Sequence, residues 1–223
     1  MMARLQRLGE ERVYADSQAG FRALRSTMDM IFSCRQLVEK VLEQKKKAFL
    51  LFIDLTKAYD SVPRELLWKL LRKYGVPESM IKVLSSFHEG MKAKVKLEGK
   101  FSDPFSVNNG LRQGCTMAPT LFNLFFSAVV KEWRDECMSV GGFGIEVEFV
   151  NDRGKLTDIR KKRKKSRVTE MQFADDAAGV MKTREALEIA TQCLIRVCKR
   201  WGLTVSIKKT EFMVIGDVCD GDK

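Results

Sequence analysis

The amino-acid sequence predicts an α+β fold. Segments with helical periodicity alternate with short apolar strands, and two segments have the apolar pattern and central turn residues of β-hairpins. Hairpins favour an antiparallel sheet over a strictly parallel one. Hydrophobic residues make up 45% of the 223 residues and charged residues 31%. That balance is typical of a globular protein and excludes disordered, collagen-like and disulfide-scaffold classes.

In the first half of the chain, apolar spacing and the positions of Pro and Gly predict three helices and one strand. A helix covers about residues 26–47, with apolar side chains at helical spacing. The apolar run 48–53 follows as a buried strand. Proline at the start and glycine after the end predict two further helices, at about 63–75 and 77–90.

The second half begins with residues 92–107, which alternate around the turn Glu98-Gly99-Lys100 as a hairpin does. Residues 121–133 are expected to form a helix rich in aromatic and apolar side chains. Apolar residues at helical spacing mark one face of a last helix: Ala186, Ile189, Ala190, Cys193, Leu194, Val197 and Trp201. No internal repeat or low-complexity linker divides the chain.

Neither a membrane span nor export is predicted. The longest apolar stretches, such as 48–53 and 121–130, are far shorter than the roughly 20 residues that a spanning helix needs. Residues 1–10 mix Arg and Glu with apolar residues, unlike a signal peptide. The six cysteines form no C-x-x-C motif, and His88 is the single histidine. A zinc site is therefore not expected, and we interpret these residues as structural, with the thiols in a reducing compartment.

The net charge of +11 and the pI near 9.4 favour a polyanionic partner, with nucleic acid ahead of a membrane surface. Residues 151–167 contain nine Lys or Arg and two Asp, a local net charge of +7. The densest part, 160–165, lies between apolar segments, which predicts an exposed loop or a hairpin tip. Contact with nucleic-acid phosphates, a localisation signal and a solvated loop are all compatible with this basic run.

Three carboxylates are candidates for chemistry. Asp54 ends the apolar strand 48–53, and Asp175 and Asp176 lie at the tip of an apolar hairpin. Adjacent carboxylates between apolar strands repel each other and lose hydration, so a compensating charge is expected. Two Mg²⁺ ions held by oxygen ligands would supply it, one activating an attacking oxygen and the other stabilising the leaving group. The alternative is a polar hairpin turn, a common position for aspartate.

Five segments occur in order along the chain: Asp54-Leu-Thr-Lys-Ala-Tyr59-Asp60, Gly110-Leu-Arg-Gln113-Gly114-Cys-Thr-Met-Ala-Pro119, Phe173-Ala-Asp175-Asp176, Trp201-Gly-Leu-Thr and Lys209-Thr-Glu. This order closely resembles the palm motifs of reverse transcriptases. Three more segments resemble the non-LTR (LINE-type) retrotransposon branch: Gln18-Ala-Gly-Phe-Arg22, Arg25-Ser-Thr-Met-Asp29 and Pro119-Thr-Leu-Phe-Asn123. The resemblance covers about residues 4–216, and spaced motifs in order are much more specific than Phe-Ala-Asp-Asp alone.

The resemblance implies roles for four charged residues. Asp54 and Asp175 would be the main Mg²⁺ ligands, with Asp176 assisting. Lys209 matches a residue proposed to protonate the departing pyrophosphate. A cation near the leaving group suits phosphoryl transfer, which depends on positioning and charge neutralisation. Without the resemblance, Lys209 is equally well interpreted as a solvated surface lysine.

The resemblance also implies a nucleotide pocket. Tyr59 matches the aromatic residue that stacks beneath the sugar and excludes a 2′-hydroxyl, which favours dNTPs. Gln113 and Gly114 would line the pocket against the template base and primer. A core aromatic at Tyr59 and a turn cap at Gln113 are the alternatives. Asp60 corresponds in position to an aspartate with which viral RNA polymerases read the ribose, but the Tyr59 and Gln113 motifs favour the DNA-making family, and Asp60 is then expected to cap the helix that begins near Pro63.

Under this resemblance, residues 1–47 are expected to be a partial fingers segment and 48–216 a palm-type core, an antiparallel sheet backed by helices. A fingers insertion is expected near 75–110, a basic loop at 151–167 and a tail at 217–223. The upstream fingers and a thumb are not expected in this chain. Because remote contacts orient reacting groups, their loss would lower turnover as well as affinity. Two departures from the family pattern, Phe173 and Ser206, are mild.

The first interpretation is an RNA-directed DNA polymerase (reverse transcriptase) domain of a LINE-type retroelement. The expected reaction is attack of a primer 3′-hydroxyl on the α-phosphate of a dNTP, with two Mg²⁺ ions, an RNA template and a DNA primer. The alternative is a non-catalytic nucleic-acid-binding remnant of such a domain. A purely structural protein would leave the carboxylates unexplained. An intracellular location is expected, with nucleus and cytoplasm both open.

Overall fold

The centre of the fold is a four-stranded antiparallel sheet with strand order β10-β1-β9-β8, seen in a computed structural model that describes residues 1–150 and 163–217. Its strands are β1 Ala48–Ile53, β8 Glu170–Phe173, β9 Asp176–Met181 and β10 Glu211–Ile215. The apolar run that predicted a buried strand is β1, which lies between β10 and β9. The predicted α+β class with an antiparallel sheet is confirmed.

Seven α-helices are present among the described residues, together with one π-helical turn at Gly9–Val13. They are α1 Met2–Leu8, α2 Thr27–Glu43, α3 Ala58–Ser61, α4 Arg64–Lys73, α5 Glu78–Ser86, α6 Ala118–Val140 and α7 Arg184–Arg200. The helix predicted at 26–47 ends earlier, at Glu43, because the backbone at Lys45 turns to a positive φ of 50°. The helix predicted at 121–133 is longer than expected at both ends.

Alternate residues of β1 enter two different hydrophobic clusters, as the strand period of two requires. Phe49, Leu51 and Ile53 belong to a large cluster with residues of α6 and α7. Ala48 and Leu50 belong to a smaller cluster with residues of α2 and β6 (Ile145–Val150). The sheet is therefore covered on both faces, which explains why β1 is almost continuously apolar.

Helix α6 approaches the sheet closely at one point. Trp133 is fully buried, and its indole N–H donates a hydrogen bond of 2.8 Å to the carbonyl of Ala190 in α7. A Cβ atom at Gly179 of β9 would lie 2.5 Å from the Trp133 ring. The glycine therefore lets the indole rest directly on β9, which connects the sheet, α6 and α7.

Two hairpins lie outside the central sheet. The predicted hairpin at 92–107 is confirmed as two nested antiparallel pairs, β2 Lys92–Ala93 with β5 Phe105–Ser106 and β3 Lys96–Leu97 with β4 Lys100–Phe101. Two residues separate the pairs on the first arm of the hairpin and three on the returning arm, which therefore contains one extra residue. In the second hairpin, β6 pairs with β7 Arg163–Val168. Part of the predicted basic loop is therefore strand β7, and residues 151–162 of that run lie outside the described residues.

The residues predicted to be structural fit the described fold. His88 is buried, and its Nδ1 lies 2.9 Å from the carbonyl oxygen of Leu84. The described cysteines are free thiols, three of them buried (Cys137, Cys193 and Cys198) and two half-buried (Cys34 and Cys115); Cys219 lies outside the described residues. No helix in the described part of the chain is both long enough and apolar enough to cross a membrane.

Candidate active site

The three candidate carboxylates lie at one end of the central sheet. Asp54 directly follows β1, and Asp176 is the first residue of β9. Strands β1 and β9 are antiparallel with Ile53 opposite Ala177, so the register continues with Asp54 beside Asp176. Asp175 lies in the two-residue turn between β8 and β9, where Phe173 pairs with Asp176. The predicted position of the aspartate pair at a hairpin tip is confirmed.

The electrostatics of this cluster favour a cation. Partial burial, followed by the negative charges of Asp175 and Asp54, raises the pKa of the Asp176 carboxyl above its ordinary value. Carboxylate oxygens are also the ligands that Mg²⁺ prefers. Among residues 1–150 and 163–217, however, no group of three or more His, Cys, Asp or Glu side chains is arranged to hold a metal ion. The donor chemistry therefore fits a divalent cation, whereas the side-chain arrangement does not direct all three carboxylates at one ion.

Lys209 supplies a positive charge next to the cluster. Its Nζ lies 3.9 Å from Oδ2 of Asp54, and the lysine side chain is largely exposed. The position is set by the turn before β10, where the backbone N–H of Ser206 donates to the carbonyl of Asp54 at 2.8 Å. The backbone N–H of Thr210 in turn donates to the carbonyl of Ser206 at 2.8 Å. The ammonium group is thus held near the carboxylates yet remains accessible to a ligand.

Tyr59 lies in the short helix α3, five residues after Asp54. Its ring stacks on Phe122 of α6 with ring centroids 4.3 Å apart and an interplanar angle of 17°. Burial, with a smaller contribution from the charge of Asp175, raises the pKa of the Tyr59 hydroxyl to about 12. The phenol is therefore neutral at physiological pH. The ring is fixed from behind by Phe122, while Asp175 is near enough to influence its ionisation.

The segment 110–114 packs against the chain around α3. The backbone N–H of Leu111 donates to the carbonyl of Tyr59 at 2.9 Å. Gly110 has a φ of +83°, and a Cβ atom there would lie 2.7 Å from the backbone of Asp60. Gly114 also has a positive φ, +81°, but faces open space. Gly110 is therefore required by close backbone approach, whereas Gly114 is required only by its backbone conformation.

Asp60 has a different role from the predicted helix cap. The N-cap of α4 is Pro63, and no side chain caps that helix. Instead, Oδ1 of Asp60 accepts a hydrogen bond of 2.8 Å from Nε2 of Gln113. The cap prediction was wrong because the chain forms the extra turn α3 at this point. Sequence reasoning missed this contact, since 53 residues separate the partners and no local pattern connects them.

Two cavities flank these residues. One, of about 390 Å³, is bordered by Asp54, Asp176 and Lys209, with apolar walls from α2 and the sheet. The other, of about 750 Å³, is bordered by Asp60 and Gln113 and extends to the hairpin 92–107. The structure thus brings Asp54, Asp175, Asp176, Lys209 and Tyr59 to the end of the sheet, with Gln113 and Gly114 on the neighbouring segment.

A buried glutamine supports the aspartate turn from behind. Gln18 is 0% exposed, and its Oε1 accepts hydrogen bonds from the backbone N–H of Ala174 at 3.1 Å and of Gly20 at 2.7 Å. Its Nε2 donates to the carbonyl of Ala174 at 3.4 Å. Ala174 has a φ of +58°, a conformation that non-glycine residues adopt at a cost. Gln18 thus stabilises the residue that immediately precedes Asp175.

The surrounding segment fits closely behind the same turn. Gln18 forms an isolated parallel bridge with Gln172 of β8. A Cβ atom at Gly20 would lie 2.1 Å from the backbone nitrogen of Ala174, so only glycine permits this approach. The carbonyl of Gly20 accepts a 2.6 Å hydrogen bond from Nδ2 of Asn123. From the sequence, the segment Gln18 to Arg22 indicated only a resemblance to the non-LTR branch. No local pattern predicted the contact between Gln18 and Ala174, which are 156 residues apart.

This constellation of motifs belongs to one protein family. The family model for reverse transcriptase (RNA-dependent DNA polymerase) matches residues 1–219, and the chain therefore belongs to that family. Its relatives come from mobile elements. The chain is similar to a Pol polyprotein from the type-2 retrotransposable element R2DM and to a probable RNA-directed DNA polymerase from transposon BS, both of Drosophila melanogaster, and to the RNA-directed DNA polymerase of the mobile element jockey of Drosophila funebris.

The identities are modest and the matched regions partial. They are 28% over 45% of this chain for the R2DM protein, 28% over 52% for the BS protein and 30% over 48% for the jockey protein. The aligned regions are 10%, 13% and 12% of those relatives. The expected non-LTR (LINE-type) reverse transcriptase domain is confirmed by the family match and these relatives.

Solved telomerase structures share the fold. The telomerase of Candida albicans, in complex with a fragment of telomeric RNA, matches with a TM-score of 0.66 at 12% identity, over 98% of this chain and 34% of that one. The apo telomerase of Candida tropicalis, truncated from its C-terminal domain, matches with a TM-score of 0.64 at 14% identity, over 98% of this chain and 40% of that one. At these identities the likeness concerns the fold, and it agrees with a polymerase palm architecture.

Proposed function

We propose that this chain is a catalytic RNA-directed DNA polymerase domain that adds a dNTP to the 3′-hydroxyl of a DNA primer on an RNA template. The observation that carries the proposal is the end of the sheet, where paired strands put Asp54 beside Asp176, with Asp175 in the adjoining turn. A nucleic-acid template and primer follow from family membership.

Two Mg²⁺ ions are assigned to the carboxylates. Reverse transcriptases generally use divalent metal ions, and the raised pKa of Asp176 beside two other aspartates is the situation that a bound cation relieves. Asp54 and Asp175 would be the main ligands and Asp176 the assisting one. When bound, such ions would neutralise charge on the triphosphate and stabilise the oxygen of the attacking 3′-hydroxyl as it loses its proton. Lys209, whose Nζ lies 3.9 Å from Oδ2 of Asp54, would donate a proton to the pyrophosphate as it leaves.

The nucleotide pocket is assigned to Tyr59, Gln113 and Gly114. Because Phe122 fixes the Tyr59 ring from behind, the free edge of that ring is a rigid surface beneath a sugar, which would exclude a 2′-hydroxyl. Gln113 is held in place by Asp60, and Gly114 leaves room for a template base or primer end. The division into partial fingers at 1–47, a palm at 48–216 and a tail at 217–223 stays a prediction.

The test is primer extension by the purified chain on an RNA template with an annealed DNA primer, dNTPs and Mg²⁺. Asp175→Asn is expected to lower the extension rate by at least about 100-fold, since it removes a metal-binding charge worth several kcal/mol in the transition state. The control is Asp135→Asn, which removes an exposed aspartate of α6 whose partner is Lys131. It is expected to leave the rate unchanged.

Two outcomes would contradict the proposal. If the unaltered chain binds the RNA–DNA hybrid but never extends the primer, the non-catalytic remnant is the better description. If extension proceeds equally well with Asp175→Asn, the chemistry does not use these carboxylates.

A further inference from the structure

The hairpin at residues 92–107 projects from the fold almost without cover. Every residue in it is exposed except Ala93 and Val107, which are half-buried. A two-stranded hairpin with no core beneath it is only marginally stable in water. At its base, the backbone N–H of Val107 donates to the carbonyl of Met91 at 2.9 Å. The exposed side chains contribute little to folding, so their chemistry points to contact with another molecule.

The hairpin combines exposed lysines with an aromatic ring. Lys92 in β2, Lys96 in β3 and Lys94 in the two-residue segment between those strands lie at every second position of the first arm. Phe101 lies opposite Lys96 in the register, and Lys96 Nζ lies 5.5 Å from the centre of the Phe101 ring. None of the three lysines has an ion-pair partner among the described residues. We call these four residues the basic hairpin face.

The chemistry of this face matches single-stranded nucleic acid. Unpaired lysines in a row neutralise successive phosphates, and an exposed aromatic ring offers a platform on which an unpaired base can stack. The Phe101 side chain is 65% exposed, so its ring is accessible for such stacking. The hairpin also exposes Val95, Leu97 and Phe105, but the register pairs Phe105 with Ala93 and Leu97 with Lys100, so these apolar side chains do not lie opposite Lys92 or Lys96.

The face begins where the candidate nucleotide pocket ends. The cavity of about 750 Å³ is bordered by Asp60 and Gln113 on one side and by Lys92 and Phe105 at the hairpin base on the other. A strand leaving that cavity would pass along the hairpin. We infer that the basic hairpin face binds the unpaired, single-stranded part of the template. That the bound strand is the template rests on the proposed function, but the binding of single-stranded nucleic acid does not.

The test is fluorescence anisotropy of a labelled single-stranded RNA bound by the full chain, without Mg²⁺ or dNTPs, at several salt concentrations. Replacing Lys92, Lys94 and Lys96 together by Gln is expected to reduce the slope of log K against log salt by about 2, because each phosphate contact to a single strand contributes roughly 0.7. Phe101→Leu is expected to weaken binding about 5- to 150-fold without changing the slope, while Phe101→Tyr retains most of the affinity.

The matched control replaces three exposed lysines elsewhere, Lys69 and Lys73 on α4 and Lys199 on α7, by Gln. This triple variant loses the same charge and should keep the original slope. The inference is overturned if the control lowers the slope as much, if Phe101→Leu binds normally, or if Phe101→Leu weakens the binding of duplex RNA as much as that of the single strand. Primer extension is scored separately, so a chain that binds through this face without extending primers disproves only the proposed function.

Discussion

The end of the central sheet and the hairpin 92–107 both present charges to a ligand, but they are held in different ways. At the sheet end, the pairing of β1 with β9 determines the positions of Asp54 and Asp176, and the fully buried Gln18 supports the turn that carries Asp175. The hairpin has two short strand pairs and exposed side chains. The first region is therefore organised before a ligand arrives, whereas the second can adapt to one. Substitutions behind the sheet end should alter the rate of primer extension, and substitutions in the hairpin should alter the affinity for nucleic acid.

Outside the carboxylates themselves, the largest expected effect on the reaction rate comes from removing the support of the aspartate turn. Gln18→Met keeps the side-chain volume but deletes the hydrogen bonds to both backbone groups of Ala174. We expect the single-turnover rate of primer extension to fall about 10- to 100-fold, because a displacement of about 1 Å at a reacting group costs up to 10²-fold. The affinity for single-stranded RNA should not change. Hydrogen exchange of the Ala174 amide should become faster, which reports the turn directly.

A stability control is needed for that experiment, since Gln18 is buried. Leu194→Ala truncates a buried side chain of α7 and is expected to cost about 2–5 kcal/mol of unfolding free energy. If the folded fraction is maintained, this variant should extend primers at the normal rate. An equal rate loss in both variants would mean that the effect of Gln18 is one of general stability rather than of positioning.

The second prediction compares two glycines that share a backbone conformation. Gly110 beside the site and Gly99 at the hairpin turn have φ values of +83° and +81°. Ala at Gly99 meets open space, so it should cost only the conformational strain, about 1 kcal/mol. Ala at Gly110 meets the backbone of Asp60 at 2.7 Å as well and should cost about 2–4 kcal/mol. Urea unfolding of both variants measures the difference, and equal costs would show that segment 110–114 can move away from α3.

The parts of the fold and site that could be predicted from sequence are those with a local signal. The continuous apolar run of β1 predicted a buried strand, and the apolar residues around Asp175 and Asp176 predicted a hairpin tip. The alternation around Gly99 predicted the outer hairpin. In each case the period of the side chains determines the local structure. The resemblance to reverse transcriptases also rested on short motifs whose order can be read directly along the chain.

The parts that could not be predicted depend on contacts between distant residues. The bond between Gln113 and Asp60 and the support of Ala174 by Gln18 join residues that are 53 and 156 positions apart. Asp60 was expected to cap the helix that begins near Pro63 because aspartate is a preferred N-cap residue, but the extra turn α3 intervened. Polar contacts between distant residues carry no periodic signal, since the sequence around one partner does not indicate the other.

The smallest expected effect concerns acid, at the junction between the two regions. His88 is buried, and burial, ahead of the charges of Arg64 and Arg112, lowers its pKa below the ordinary value of 6.5. Arg64 donates to the carbonyls of His88 and Gly110, which connects the hairpin base to the site segment. Because the folded chain binds the proton less readily than the unfolded chain, stability is retained above pH 6.5 and falls as the pH drops below it.

We therefore expect the unaltered chain to lose more thermal stability between pH 7.5 and pH 5.5 than His88→Gln, which cannot titrate in this range. A difference in Tm of up to a few degrees is expected, since the titration of one histidine changes the stability of a domain of this size only slightly. Differential scanning fluorimetry at both pH values measures it. An equal decrease in Tm for both chains would mean that acid acts through other groups. A larger decrease for the unaltered chain, with the hairpin amides exchanging faster than those of β1, would locate the loss at the junction and leave the sheet intact.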